Sequence, residues 1–153
     1  MKKKAKSLSN IYLPVNTNMS QNGDPCFQYF LADKKPILVI TLVGRLNFVA
    51  VQALLNCKAD INKLSANSGV KFVVFYCRDV EAVTGDAIGV FTQIQIEIRA
   101  RSWDLNICSL RPEIKEKLIN MGVVRKSELS DNMREALLAF VPATAGGTKL
   151  RAA

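Results

Sequence analysis

Three features of this 153-residue chain predict an α/β fold, a mixed β-sheet of about four to five strands covered by about four helices. Two apolar, β-branched runs near the start read as a hairpin. Later apolar residues recur at helical spacing, and short β-branched runs alternate with those amphipathic stretches. Parallel strands need crossover helices, so the alternation favours one sheet with helices packed on it.

The elements follow in order. Residues 1–24 are polar and basic and end in the turn-forming Asn22-Gly23-Asp24-Pro25, which predicts a flexible N-terminal arm ahead of a single domain over 25–141. Cys26 to Leu31 and Pro36 to Val43 form the hairpin strands around the polar Asp33-Lys34-Lys35. Val51, Leu54, Cys57, Ile61 and Leu64 share one stripe, so 47–64 is a helix with Asn47 as its N-cap. A buried strand over 70–76 precedes a polar turn and a helix over 87–100. Ile94 to Arg101 also alternates like a strand, but Ile88, Phe91, Ile94 and Ile98 keep helical phase and leave Ile96 exposed. Leu105 to Leu110 gives the next strand, and Pro112 opens a helix that Gly122 stops. Val123-Val124-Arg125 reads as an edge strand. Ser130 or Asp131 then caps a last helix whose inner face is Met133, Ala136, Leu137 and Phe140, with Pro142 ending it. A flexible tail, 142–153, completes the chain.

Composition excludes several classes of function. Histidine is absent, which removes imidazole acid/base catalysis, Ser-His and Cys-His nucleophile pairs and the commonest metal ligand. No catalytic residue, metal site or cofactor motif is nominated. Gly146-Gly147-Thr148-Lys149 has its Thr and Lys in the wrong order for a phosphate loop and follows no strand. Cys26, Cys57, Cys77 and Cys108 are widely spaced with no C-x-x-C pair, as expected for reduced core thiols in the cytoplasm. The longest apolar runs fall short of the roughly 20 residues that span a bilayer. The net charge of +8 sits mostly at the ends: Lys2, Lys3, Lys4 and Lys6 in the arm, Lys149 and Arg151 in the tail. Removing those six leaves 15 basic against 13 acidic residues. Polyanion or nucleic-acid binding is therefore an expectation for the lysine arm alone.

The stretch Val80 to Gly89 joins a buried strand to an amphipathic helix through a polar turn. Unpartnered N–H groups in a first helical turn favour negative charge, so Thr84, Gly85, Asp86, Ala87 and Ile88 are the candidate functional positions. Two readings of Asp86 follow from the residues: the N-cap of the helix 87–100, or part of a cation site with Asp79, Glu81 and Thr84. Thr84, the only hydroxyl in the turn, can make a turn hydrogen bond.

Three local patterns then carry a family resemblance: Val43-Gly44-Arg45-Leu46-Asn47, Ile88-Gly89-Val90-Phe91, and Arg111-Pro112-Glu113-Ile114 followed by Leu118 and Gly122-Val123. Their order and spacing over roughly residues 26–141 resemble the STAS domain of bacterial anti-sigma factor antagonists and sulfate transporter tails. The resemblance puts Thr84 where the family has an Asp, Gly85 at the usual phosphoacceptor, Asp86 at the next Ser and Ala87 at a Gly. It implies a cytoplasmic, non-enzymatic regulator that docks an anti-sigma factor or serine kinase through this turn, with Asn47 and Ile96 as further partner surface. It also allows a module of a membrane transport complex or a small-ligand binder. Gly85 departs from the family at the residue that carries the switch, and the resemblance then leaves open that Asp86 is a permanent charge imitating a phosphorylated residue and that Thr84 is a displaced phosphoacceptor.

Overall fold

The protein is described here by a computed structural model covering residues 14–19, 25–64 and 69–140. Its sheet has six strands in spatial order β1 to β6: β1 (Pro14–Met19), β2 (Pro25–Lys34), β3 (Ile37–Leu46), β4 (Phe72–Val83), β5 (Asp104–Cys108) and β6 (Leu129–Ser130). β1, β2 and β3 pair antiparallel, whereas β3 through β6 run parallel. Each parallel step is bridged by a helix: α1 (Val51–Lys63), α2 (Gly85–Ala100) and α3 (Pro112–Asn120). Strands added in one direction by crossovers of one hand bring all three helices to the same face. A short α4 (Met133–Leu138) packs on the other.

Strand alternation sorts the two faces. Tyr29, Leu38, Ile40, Leu42, Val73, Phe75 and Ile107 point into the core under α1–α3 and meet Leu54, Cys57, Phe91, Ile94 and Leu118. Val74 and Cys108 point the other way and meet Ala136 and Phe140 of the α4 segment, where Phe140 stacks on Phe72 at 4.5 Å. Two polar contacts fix helices to the sheet. The Tyr29 hydroxyl donates to Asp60 Oδ2 at 2.7 Å, tying α1 to β2. Arg99 on α2 donates from Nη2 to Glu128 Oε1 at 2.6 Å and from Nε to Oε2 at 3.1 Å, tying α2 to the turn before β6.

The hairpin and the helical state of 94–100 agree with expectation, and the helix expected over 47–64 forms as α1 behind a 3-10 turn that Asn47 caps. Four details differ. The segment expected to be arm contains β1, because Pro14–Met19 pairs along Pro25–Phe30; Lys2, Lys3, Lys4 and Lys6 lie outside the described residues, as does the 142–153 tail. β4 runs on to Val83, since Val43 to Leu46 of β3 stay paired with Asp79 to Val83. Val123-Val124-Arg125 is not a strand. Gly122, at φ +73°, turns the chain so that the Val123 N–H reaches the Leu118 carbonyl at 2.9 Å, and Val123 is buried by closing α3; the edge strand is the two-residue β6. Finally, α4 is capped by Asn132, whose Oδ1 accepts from the Glu135 N–H at 2.9 Å, rather than by Ser130 or Asp131.

This packing makes stability predictions of opposite size for two aliphatic positions. Leu54→Ala, at a fully buried site, should cost about 2–5 kcal/mol. Ile96→Ala, at a site 55% exposed, should stay within about 0.5 kcal/mol. Urea unfolding midpoints at unchanged slope measure both. Burial also raises the thiols of Cys57 and Cys77 and pushes Cys108 up to about 11. With thiolate scarce and access closed, a thiol reagent at pH 8 should modify none of these three until the chain is unfolded, as read by peptide mass mapping.

Candidate functional site

Parallel pairing of β3 and β4 ends with Leu46 opposite Val83, and both strands lead directly into helical turns at that end. The Thr84 N–H donates to the Leu46 carbonyl at 2.9 Å, so the two strand-to-helix junctions lie side by side. On one flank Asn47 Oδ1 accepts the Val49 N–H at 3.0 Å and caps a short 3-10 turn, Phe48–Ala50, that leads into α1. On the other flank Lys117 of α3 donates from Nζ to the Val83 carbonyl at 2.8 Å.

The junction itself is one residue long. Thr84 is extended, at φ −134° and ψ 172°, and α2 begins at Gly85. Asp86 therefore occupies the second helical position, and the reading that makes it the N-cap of a helix starting at 87 is corrected. Thr84 is the cap residue, and its side chain makes no capping hydrogen bond. A carboxylate in the first turn still complements the helix dipole. The cation-site reading also lacks its geometry: Asp79 Oδ2 pairs with Arg78 at 3.1 Å and Glu81 with Arg45 at 3.8 Å. Among the described residues no three His, Cys, Asp or Glu side chains gather to hold a metal ion.

Of the five turn positions, Thr84, Gly85 and Asp86 are exposed, while Ala87 and Ile88 are buried and anchor the helix to the core. Asn47 is brought beside them. Ile96 is exposed but lies about three helical turns further along α2, so it does not belong to the turn. The sequence reading missed Phe48 and Val49, exposed by 73% and 43% on the 3-10 turn, and Lys117. The signal for Phe48 was present: it falls outside the apolar stripe that begins at Val51.

Gly85 is not required by the backbone. Its φ is not in the left-handed region, and a Cβ built on it meets nothing within 4 Å. Any small side chain fits there, so the absence of a hydroxyl is a chemical difference and not a steric one. A cleft of about 430 Å³ lined by Lys71, Phe72, Arg101, Trp103 and Asp104 lies at the opposite end of the parallel strands, remote from the turn.

Comparison with known proteins agrees with this architecture. No curated protein sequence matches the chain significantly. Among solved structures it is similar to the anti-sigma factor antagonist SpoIIAA in its unphosphorylated form, with 16% identity and a TM-score of 0.60 over 75% of this chain and 96% of that one. An anti-sigma factor antagonist from Mycobacterium paratuberculosis matches with 13% identity and a TM-score of 0.64, over 79% and 97% of the two chains. The murine Solute Carrier 26 family member A9 anion transporter matches with 11% identity and a TM-score of 0.57, over 67% of this chain and 17% of that one. These identities speak for the fold. No helix among the described residues is long and apolar enough to cross a membrane. The STAS domain family model matches residues 31–136, from β2 into α4, and the chain belongs to the STAS domain family.

Proposed function

We propose that this protein is a non-enzymatic docking module of the anti-sigma factor antagonist type. It binds a protein partner, an anti-sigma factor or serine kinase, through the face around Thr84, Gly85 and Asp86. The observation that carries the reading is the junction geometry: three exposed polar or small residues open a 16-residue helix beside a second capped turn. Asn47 belongs to the same face, and Ile96 is at most a peripheral contact.

In this reading the partner is not released by phosphate on residue 85, because a glycine there has no hydroxyl. A phosphate would add about 1.5 to 2 negative charges beside a helix N-terminus. Asp86 supplies one fixed charge a single residue away. The state of the face is therefore set by the sequence, and partner occupancy follows concentration and affinity. A transport-complex module is the second reading, supported by the likeness to the anion transporter. Titration against candidate partners separates the two: a soluble ATPase-type kinase on one side, a membrane complex on the other.

Two measurements test the proposal. Asp86→Lys should abolish partner binding in a titration calorimeter while leaving the fold intact, since Asp86 is exposed; unchanged affinity would remove the turn from the contact. Gly85→Ser should fold with stability within about 0.5 kcal/mol of the parent, because its side chain enters open space. It should also restore an acceptor, so that a serine kinase of this pathway phosphorylates the variant and not the parent. Equal labelling of both would show that Thr84 or another hydroxyl is the acceptor.

A further inference from the structure

We propose that Phe48 is the anchor of this docking face, and that its partner is a protein surface offering an apolar pocket to the Phe48 ring with a cationic side chain against Asp86. The inference rests on the docking reading above and adds the chemistry of what docks.

Phe48 is the most exposed of the large hydrophobic residues described, at 73%. Its backbone is held in place. The 3-10 turn that carries it is capped by Asn47 Oδ1 on the Val49 N–H at 3.0 Å and closed by the Ala50 N–H on the Asn47 carbonyl at 2.9 Å. Ala50, at the end of the turn, is fully buried, so the backbone is held from below while the ring stands in water. A large apolar group on a rigid support loses little freedom on binding, and such aromatic groups dominate interface energetics. Val49 is 43% exposed beside it, and Leu55, 39% exposed, follows two helical turns on along the same outward side.

Charge selects among possible occupants. On the outward side of α1 and α2, Lys58 and Glu97 neutralise each other at 3.2 Å. Asp86 has no ion-pair partner among the described residues. Lys117 lies on the far flank of the turn, with its ammonium on the Val83 carbonyl. The patch next to Phe48 is therefore apolar with one uncompensated negative charge, on a chain whose net charge is +8. A basic rim around an apolar pocket complements this patch, whereas an acidic partner does not.

The test uses the full chain and a phage-displayed random peptide library panned on wild type alone, followed by fluorescence anisotropy on the synthesised consensus peptide. We expect sequences joining aliphatic or aromatic residues to Lys or Arg. The peptide should bind Phe48→Ala more than about tenfold more weakly than wild type, and Asp86→Asn a few-fold more weakly with less salt dependence. Superimposable thermal melts show that both variants are folded. Loss on Asp86→Lys with full retention on Phe48→Ala would overturn the anchor and leave the docking face standing. Peptides indifferent to both residues would overturn the face itself. Acidic consensus sequences, or no enrichment at all, would overturn the partner chemistry. A concentration-dependent dimer in sedimentation that Phe48→Ala dissolves would reassign the patch to a second copy of the chain.

Discussion

The parallel pairing of β3 with β4, from Ile37 opposite Phe72 to Leu46 opposite Val83, is the constraint on which the rest of the structure depends. It requires a crossover, which α1 supplies, and it brings the ends of two strands to the same height. Once both chains leave the sheet there, two helical N-termini must share the edge, and the Thr84 N–H on the Leu46 carbonyl fixes their spacing. The pairing of the two strand-to-helix junctions is thus a consequence of sheet topology. What varies between members of such a fold is the side chains displayed at that edge, and function is argued from those.

A residue the fold needs differs from one it merely accepts. Gly44 sits at φ +111°, in the left-handed region that L side chains rarely adopt, where β3 and β4 lose register. Gly85 has ordinary dihedral space and open room for a side chain. Geometry therefore accounts for the first glycine and not for the second. An acceptor at position 85 was sterically available, and the fixed carboxylate of Asp86 one residue later leaves the helix terminus already complemented. At position 85 the difference is therefore one of side-chain chemistry and not of backbone geometry.

Most of the fold was legible because local pattern and tertiary role coincide. The stripe Leu54, Cys57 and Ile61 is apolar at helical spacing and is buried as such. Gly122 ends its helix with the left-handed residue such an ending needs. The failures have identifiable causes. β4 was read too short because its C-terminal half does not alternate: Val80 and Val83 are buried while Arg78 and Glu81 are exposed, a spacing of three. Two register shifts against β3 insert extra residues into β4, and period-two reasoning has no way to see a bulge set by the partner strand. The error propagated. A strand ended too early implied a longer turn and a later helix start, which moved Asp86 to the cap position. Val123 and Val124 were read as a strand because burial in a helix-closing turn and burial in a sheet give the same apolar signal. β6, only two residues long, carries none of its own.

The polar contacts were the least legible, and they decide how rigid the face is. Tyr29 and Asp60 are 31 residues apart, Arg99 and Glu128 are 29 apart, and Lys117 reaches a carbonyl 34 residues earlier. No sequence period connects such pairs. Each nevertheless bears on one of the elements that frame the site: α1 through Tyr29, α2 through Glu128, and the end of β4 through Lys117. Arg99 and Glu128 have side chains only 20% and 15% exposed, and removing one partner would leave a largely buried charge unpaired. A face built on two adjoining helix starts is only as well defined as the relative placement of those helices. Apolar packing supplies most of the energy of that placement, and a hydrophobic interface alone permits small slides. Directional hydrogen bonds at the flanks remove that freedom and hold the edge in one shape.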